Sequence, residues 1–184
     1  QNAIDSSTSK AQLSWYLNLG TIEADLGNTE RARQIYNLAV QLYPQSVPSY
    51  YNLGIILLRQ NRLDEADACF YAALELNSDF DPALFSRGEV ATKKHDFMLA
   101  EEFYRASIQL NPRKASYTYA YAQNLLRQGK SEEGKRQLKQ ARRLKAEKYS
   151  RQAHEWAERK NWQEVCRNLQ LAVEVDPTFL NAIE

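Results

Sequence analysis

The chain has 184 residues, 24 Lys/Arg against 23 Asp/Glu, a net charge of +1, and 43% hydrophobic and 26% charged residues. That is the composition of a globular protein and excludes a disordered tail; two cysteines exclude a disulfide scaffold and a Cys-only zinc cluster. No apolar run approaches the ~18 residues that a membrane span needs.

Residues 1–12 form a polar lead-in, expected to be frayed or weakly helical at its start. Beyond it, apolar residues recur at i, i+3, i+4 and i+7. The windows predict ten helices, at about 14–27, 29–42, 48–60, 62–76, 82–94, 97–110, 116–128, 131–144, 147–159 and 162–175. Tyr50, Leu53, Ile56 and Leu57 make one apolar stripe; Leu63, Ala66, Phe70, Ala73 and Leu74 make the next. Pro44, Pro112 and Pro177 fall between helices, and Pro48 and Pro82 fall in first turns, where no intrahelical N–H is lost. Gly27 and Gly129 suit tight turns. Leu144 to Tyr149 holds neither Gly nor Pro, so two helices either fuse there or meet in a tightened turn. Asp176 to Leu180 reads as the approach to a further helix, and with Gln1 as first residue and apolar Phe179, Leu180 and Ile183 at the end, a longer native protein is expected.

A period runs through these windows. Gly20, Gly54 and Gly88 are each 34 residues apart, and twelve residues after each stands Ala32, Ala66 or Ala100. Tyr36, Phe70 and Tyr104 follow four residues later, then Ala39, Ala73 and Ser107. Small residues let two helix axes approach to ~8–10 Å, and the aromatics fill the space they leave. One such hairpin cannot bury its apolar faces alone, so neighbours must stack.

These residues resemble the tetratricopeptide repeat, a helix-turn-helix unit. The resemblance covers 13–46, 47–80 and 81–114, then a degenerate unit 115–145 in which Ala122 replaces the glycine, Gly134 the small residue and Leu138 the aromatic, and a unit 146–179. Residues 180–184 would begin a truncated helix. The fold implied is all-α, a right-handed superhelical solenoid of about five repeats. The function implied is that of a non-catalytic protein-interaction scaffold, binding a peptide segment or a partner subunit in a concave groove of the first (A) helices.

By that resemblance the groove residues are Asn18, Tyr51, Asn52, Ile55, Leu58, Arg59, Phe85, Glu89, Lys93, Tyr119, Gln123, Leu126, Arg127 and His154. Tyr51, Phe85 and Tyr119 make an aromatic row; Arg59, Lys93 and Arg127 make a basic one. The two rows suit a peptide with apolar anchors and acidic character, and they are equally the family's ordinary choices at those places. The clamp by which one subfamily grips a C-terminal carboxylate is not expected, because its first-helix lysine and asparagine places hold Leu17 and Thr21 and its arginine place holds Ser86.

Residues 127–151 carry ten Lys/Arg and three Glu, a net +7 that leaves −6 elsewhere. Lys135, Lys139, Arg142 and Arg143 share a broad helical face there. They are either a solvated surface or an alternative site for nucleic acid or anionic lipid, a partner class placed behind a protein or peptide, with self-association a further option. His95 reads as an exposed turn residue and His154 as a partner contact; Cys69 and Cys166 read as core or half-buried thiols. No metal spacing, phosphate-cradling loop or nucleophile motif is present, so neither catalysis nor a cofactor is expected. The unpaired thiols suit a cytoplasm and are compatible with a periplasm reached through a removed upstream signal. An accessory role in a larger enzyme or assembly is the remaining alternative.

Overall fold

The structure, a computed structural model, describes residues 2–179, with residues 2–10 described in backbone alone. Among the described residues there are nine α-helices and no strand: α1 (Asn2–Asp25), α2 (Thr29–Leu42), α3 (Val47–Arg59), α4 (Leu63–Leu76), α5 (Asp81–Lys93), α6 (Phe97–Leu110), α7 (Ala115–Arg127), α8 (Ser131–Glu158) and α9 (Trp162–Val175). Two departures from the sequence expectation concern helix ends. Helix α1 begins at Asn2, not near residue 14, because no Pro or Gly interrupts the chain before Gly20. The windows at 131–144 and 147–159 are one continuous helix, α8, the fusion that the missing breaker residues allow. The further helix expected over 180–184 lies outside the described residues.

The chain divides into two compact units, residues 1–103 and 104–184. In the first, α1 and α2 form one antiparallel hairpin and α3 and α4 the next, and α3 also touches α1 and α5. A cap starts α3: the Ser46 hydroxyl accepts from the Ser49 N–H at 3.3 Å, with Pro48 in the first turn. The core holds Ala32, Tyr36, Leu53, Ile56, Ala66 and Phe70, all buried. A Cβ on Gly20 would stand 2.6 Å from Tyr36, and one on Gly54 would stand 2.6 Å from Phe70. The rings therefore sit in the space that the absent side chains leave, as the 34-residue pattern implies. Tyr36 keeps its hydroxyl 3.0 Å from the Thr21 hydroxyl, so its polar tip stays satisfied. Arg87 of α5 donates to both Asp67 carboxylate oxygens on α4 at 2.7 and 3.2 Å and stacks on Phe103 at 4.4 Å, which pins α5 to α4.

In the second unit α7 pairs with the first half of α8, and α9 returns along α8. Tyr117, Ala122 and Leu125 are buried from α7. Ala146, Ala172 and Phe179 form a small cluster capped by Tyr149. Phe179 is thus a core residue, 9% exposed, and not part of an outward apolar face. A Cβ on Gly134 would meet Leu126 at 2.7 Å and the Ala122 carbonyl oxygen at 3.2 Å.

The repeat is also written in the backbone. Left-handed φ recurs at Gly27, Asn61, His95, Gly129 and Lys160, at intervals of 34, 34, 34 and 31. Each of these residues closes the turn that leads from one helix into its partner. The short last interval goes with the uninterrupted α8: the residues that would have built a turn near 145 are missing.

Candidate functional site

The expected groove residues divide between the two units. In the first, Asn18, Arg59 and Lys93 are exposed, and Asn52, Ile55, Phe85 and Glu89 are half-buried on α3 and α5. Tyr51 is half-buried, with its ring 5.9 Å from Phe70 and edge-on to Phe80 at 5.3 Å. Burial pushes its phenol up from the ordinary range. Leu58 is 8% exposed and belongs to the core, so it offers little surface to a ligand. Glu89 is a carboxyl whose pKa burial raises, with the nearby Lys93 ammonium opposing.

In the second unit Tyr119 is 54% exposed, Gln123 and Leu126 are half-buried, and Arg127 and His154 are exposed. The His154 Nε2 lies 3.8 Å from Glu158 one turn on. The basic face separates into parts. Lys135 pairs with Glu132 at 3.0 Å and Arg143 with Glu147 at 3.3 Å, both along α8. Lys139 and Arg143 border a hollow of about 340 Å³ with Asp176, Thr178 and Phe179. Arg142 faces elsewhere, into a larger cleft.

That cleft, about 970 Å³, lies between the turn before α7, the middle of α8 and the end of α9. Arg113, Lys114, Arg142, Lys145, Lys148 and Arg151 line it over a floor that includes Tyr119, Leu144 and Val175. Among the described residues no carboxylate lines it. The Lys114 ammonium donates to the Tyr117 hydroxyl at 2.8 Å and sits 4.4 Å over the ring. Sequence reasoning found the charge excess here but not the cleft. Positions 142, 145, 148 and 151 form one i±3 row only if the helix is unbroken, and ten separate helices put a turn in their midst.

The thiols differ from expectation in one respect. Cys69 is half-buried, and burial pushes its pKa up to about 11. Cys166 is exposed, because the buried side of α9 runs through Asn168 and Ala172 and leaves residue 166 facing outward. His95 is exposed and occupies a left-handed turn position in a place where Gly27 and Gly129 stand in other repeats. Among the described residues no group of His, Cys, Asp and Glu is placed to hold a metal ion, and no helix is long and apolar enough to cross a membrane.

Comparison with known families matches the tetratricopeptide repeat at residues 14–46 and again at 47–80, two adjoining units in the register of the glycine–aromatic crossings. It is a tetratricopeptide-repeat protein. The fold agrees with solved structures described as YrrB, a TPR protein with an unusual peptide-binding site (TM-score 0.61, 20% identity, 91% of this chain and 88% of that one), and as MamA (TM-score 0.68, 22% identity, 78% and 85%). Among curated proteins, the human protein O-mannosyl-transferase TMTC3 is 30% identical over 122 residues, 58% of this chain and 13% of the relative. The Arabidopsis thaliana CTR9 homolog is 30% identical over 100 residues, 54% of this chain and 9% of the relative. This tetratricopeptide-repeat chain therefore spans about an eighth or less of the curated relatives it matches. Its repeats support the role of a protein-interaction scaffold.

Proposed function

We propose that the chain is a non-catalytic scaffold that takes a peptide segment or a partner subunit on the groove face of its A helices, α1, α3 and α5 in the first unit. One observation carries this: α3 touches α1 and α5 directly, while Asn52, Ile55, Phe85 and Glu89 on α3 and α5 keep part of their surface in solvent. Half-buried apolar and polar groups on adjoining rigid helices suit a preorganised recognition surface, with little ordering cost on the scaffold side. The likeness to YrrB, a TPR protein with an unusual peptide-binding site, supports a peptide ligand for this chain as well. No bond-making role falls to these residues.

Photo-crosslinking tests the face. A photoreactive residue at Ile55 should form an adduct with one defined protein, whereas the same residue at Tyr71, exposed on α4, should not. Equal adducts at both positions, or none at Ile55, would move the site away from the A helices.

A second role rests on the curated relatives. The chain is an accessory repeat module of a larger protein, as the 13% coverage of a mannosyl-transferase suggests. An adjoining catalytic domain in the full-length gene product would establish it, and its absence there would remove it.

A further inference from the structure

The cleft beside α7 belongs to the second unit and gathers basic side chains from three stretches of the chain. Six Lys/Arg side chains line about 970 Å³, and among the described residues no Asp or Glu joins them. Cations spaced within a Debye length of ~8 Å reinforce one another, and a concave low-dielectric wall focuses their field. The first turn of α7 holds no acidic residue, so its N-terminal dipole adds to the same sign. The floor is different in kind: Ala115, Tyr119, Leu144 and Val175 offer apolar surface.

The cleft follows from the fusion of two helices. Because α8 continues past residue 144, it carries Arg142, Lys145, Lys148 and Arg151 as one row alongside the turn that holds Arg113 and Lys114. A turn near 145 would have broken that row.

We infer that this cleft binds an acidic segment of a partner protein, seated by an apolar anchor side chain on Leu144 and Val175. Charge complementarity sets the sign of the ligand, and the floor sets its kind. A phosphate backbone gains nothing from buried aliphatic surface, and single-stranded bases need a succession of rings to stack on. Tyr119 is the one ring among the described lining residues. An acidic peptide with an embedded apolar residue uses both the rim and the floor.

The test is fluorescence anisotropy on the whole chain. The probe is a fluorescein-labelled synthetic peptide of glutamates flanking one phenylalanine. Its competitors are the same peptide with alanine for phenylalanine, and oligodeoxythymidine. Lys145→Glu with Lys148→Glu reverses two cleft residues. Lys135→Glu with Lys139→Glu makes the same change in net charge on the same helix outside the cleft. Circular dichroism confirms that both variants keep their helices. The first pair should weaken peptide binding at least ~10-fold and the second less than ~3-fold. The alanine peptide should bind several-fold more weakly than the parent.

Equal losses from both pairs would replace the cleft with a diffuse basic surface and overturn the proposal. So would an alanine peptide that binds as well as the parent, or no binding of the parent at low salt. Oligodeoxythymidine displacing the peptide at lower concentration, with a steep salt dependence, would reassign the site to nucleic acid. A dimer that forms without peptide and dissolves in Lys145→Glu/Lys148→Glu, seen by analytical ultracentrifugation, would reassign it to a second copy of the chain. Ile55→Glu should leave peptide binding unchanged, so failure of the groove and failure of the cleft are separate results.

Discussion

In the first unit, the glycine of each close helix crossing stands on the first helix of the hairpin, and an aromatic on the second helix lies over it: Tyr36 over Gly20, Phe70 over Gly54. In the second unit the roles are exchanged. Gly134 is on the second helix, Ala122 faces it from the first, and Leu126, four residues beyond Ala122, covers it. The packing problem has two mirror solutions, because a crossing needs one small residue on each side and one large residue a turn further on, on either helix. The units also differ in charge. Residues 1–103 hold eight Lys/Arg against fourteen Asp/Glu, and residues 104–184 hold sixteen against nine. The same repeat can thus carry surfaces of opposite sign, since charge sits on faces the crossing does not use.

The largest difference between the units should be chemical. With its thiol near pKa 11 and half-buried, Cys69 has roughly a few thiolates per ten thousand at pH 7.5. A thiol reagent should therefore modify exposed Cys166 promptly and Cys69 only on unfolding; equal rates would contradict the packing around α4. Next in size is the loss of the covering residue. Phe70→Ala should cost ~3–5 kcal/mol in urea melts, since its ring is fully buried. Leu126→Ala should cost less, since its side chain is half-buried. Equal costs would mean that the two crossings are packed alike after all. Filling the crossing comes third: Gly54→Leu should cost at least ~1–3 kcal/mol by overpacking against Phe70.

The turns allow a finer test. His95→Gly relieves a side chain held at φ 61°, and should stabilise by up to ~1 kcal/mol. Gly129→Ala imposes the same strain where nothing lies within 4 Å, so its cost should be purely conformational and of similar size. The smallest effect concerns Glu89. Burial raises its pKa in the folded state, so the protonated form is favoured there. Its contribution to stability is full below the unfolded value of 4.5 and declines as pH rises through the folded value. Glu89→Gln should therefore be slightly more stable than the parent at pH 7 and level with it at acid pH, as urea midpoints at the two pH values would reveal.

Much of the architecture was legible in the residues themselves. The 34-residue spacing of Gly20, Gly54 and Gly88, with Tyr36 and Phe70 at fixed offsets, encodes a contact, and the contact is present. Helix ends were less legible where nothing in the chain forbids continuation. Residues 144–149 lack a breaker, and the choice between a turn and a through-helix depends on packing further away. The turn residues Asn61 and Lys160 were hidden for a related reason: they take a glycine-like conformation without being glycine, as His95 also does. Among the site residues, periodicity placed Ile55, Phe85 and Glu89 on helix faces but could not separate Leu58, a core residue, from its neighbour Arg59, an exposed one. The cleft was out of reach, because its lining comes from three stretches of chain that only the fold brings together.

The unbroken α8 has a mechanical consequence. In a repeat array, each hairpin separated from the next by a loop is a unit that can fray while its neighbours hold. Twenty-eight residues of continuous helix make a rod ~42 Å long, with α7 against one half and α9 against the other. Neither partner can detach without exposing the flank of the helix that supports the other. Amide hydrogens of α7, α8 and α9 should therefore exchange as one cooperative block, and a load applied at α9 would reach α7 with no hinge to absorb it.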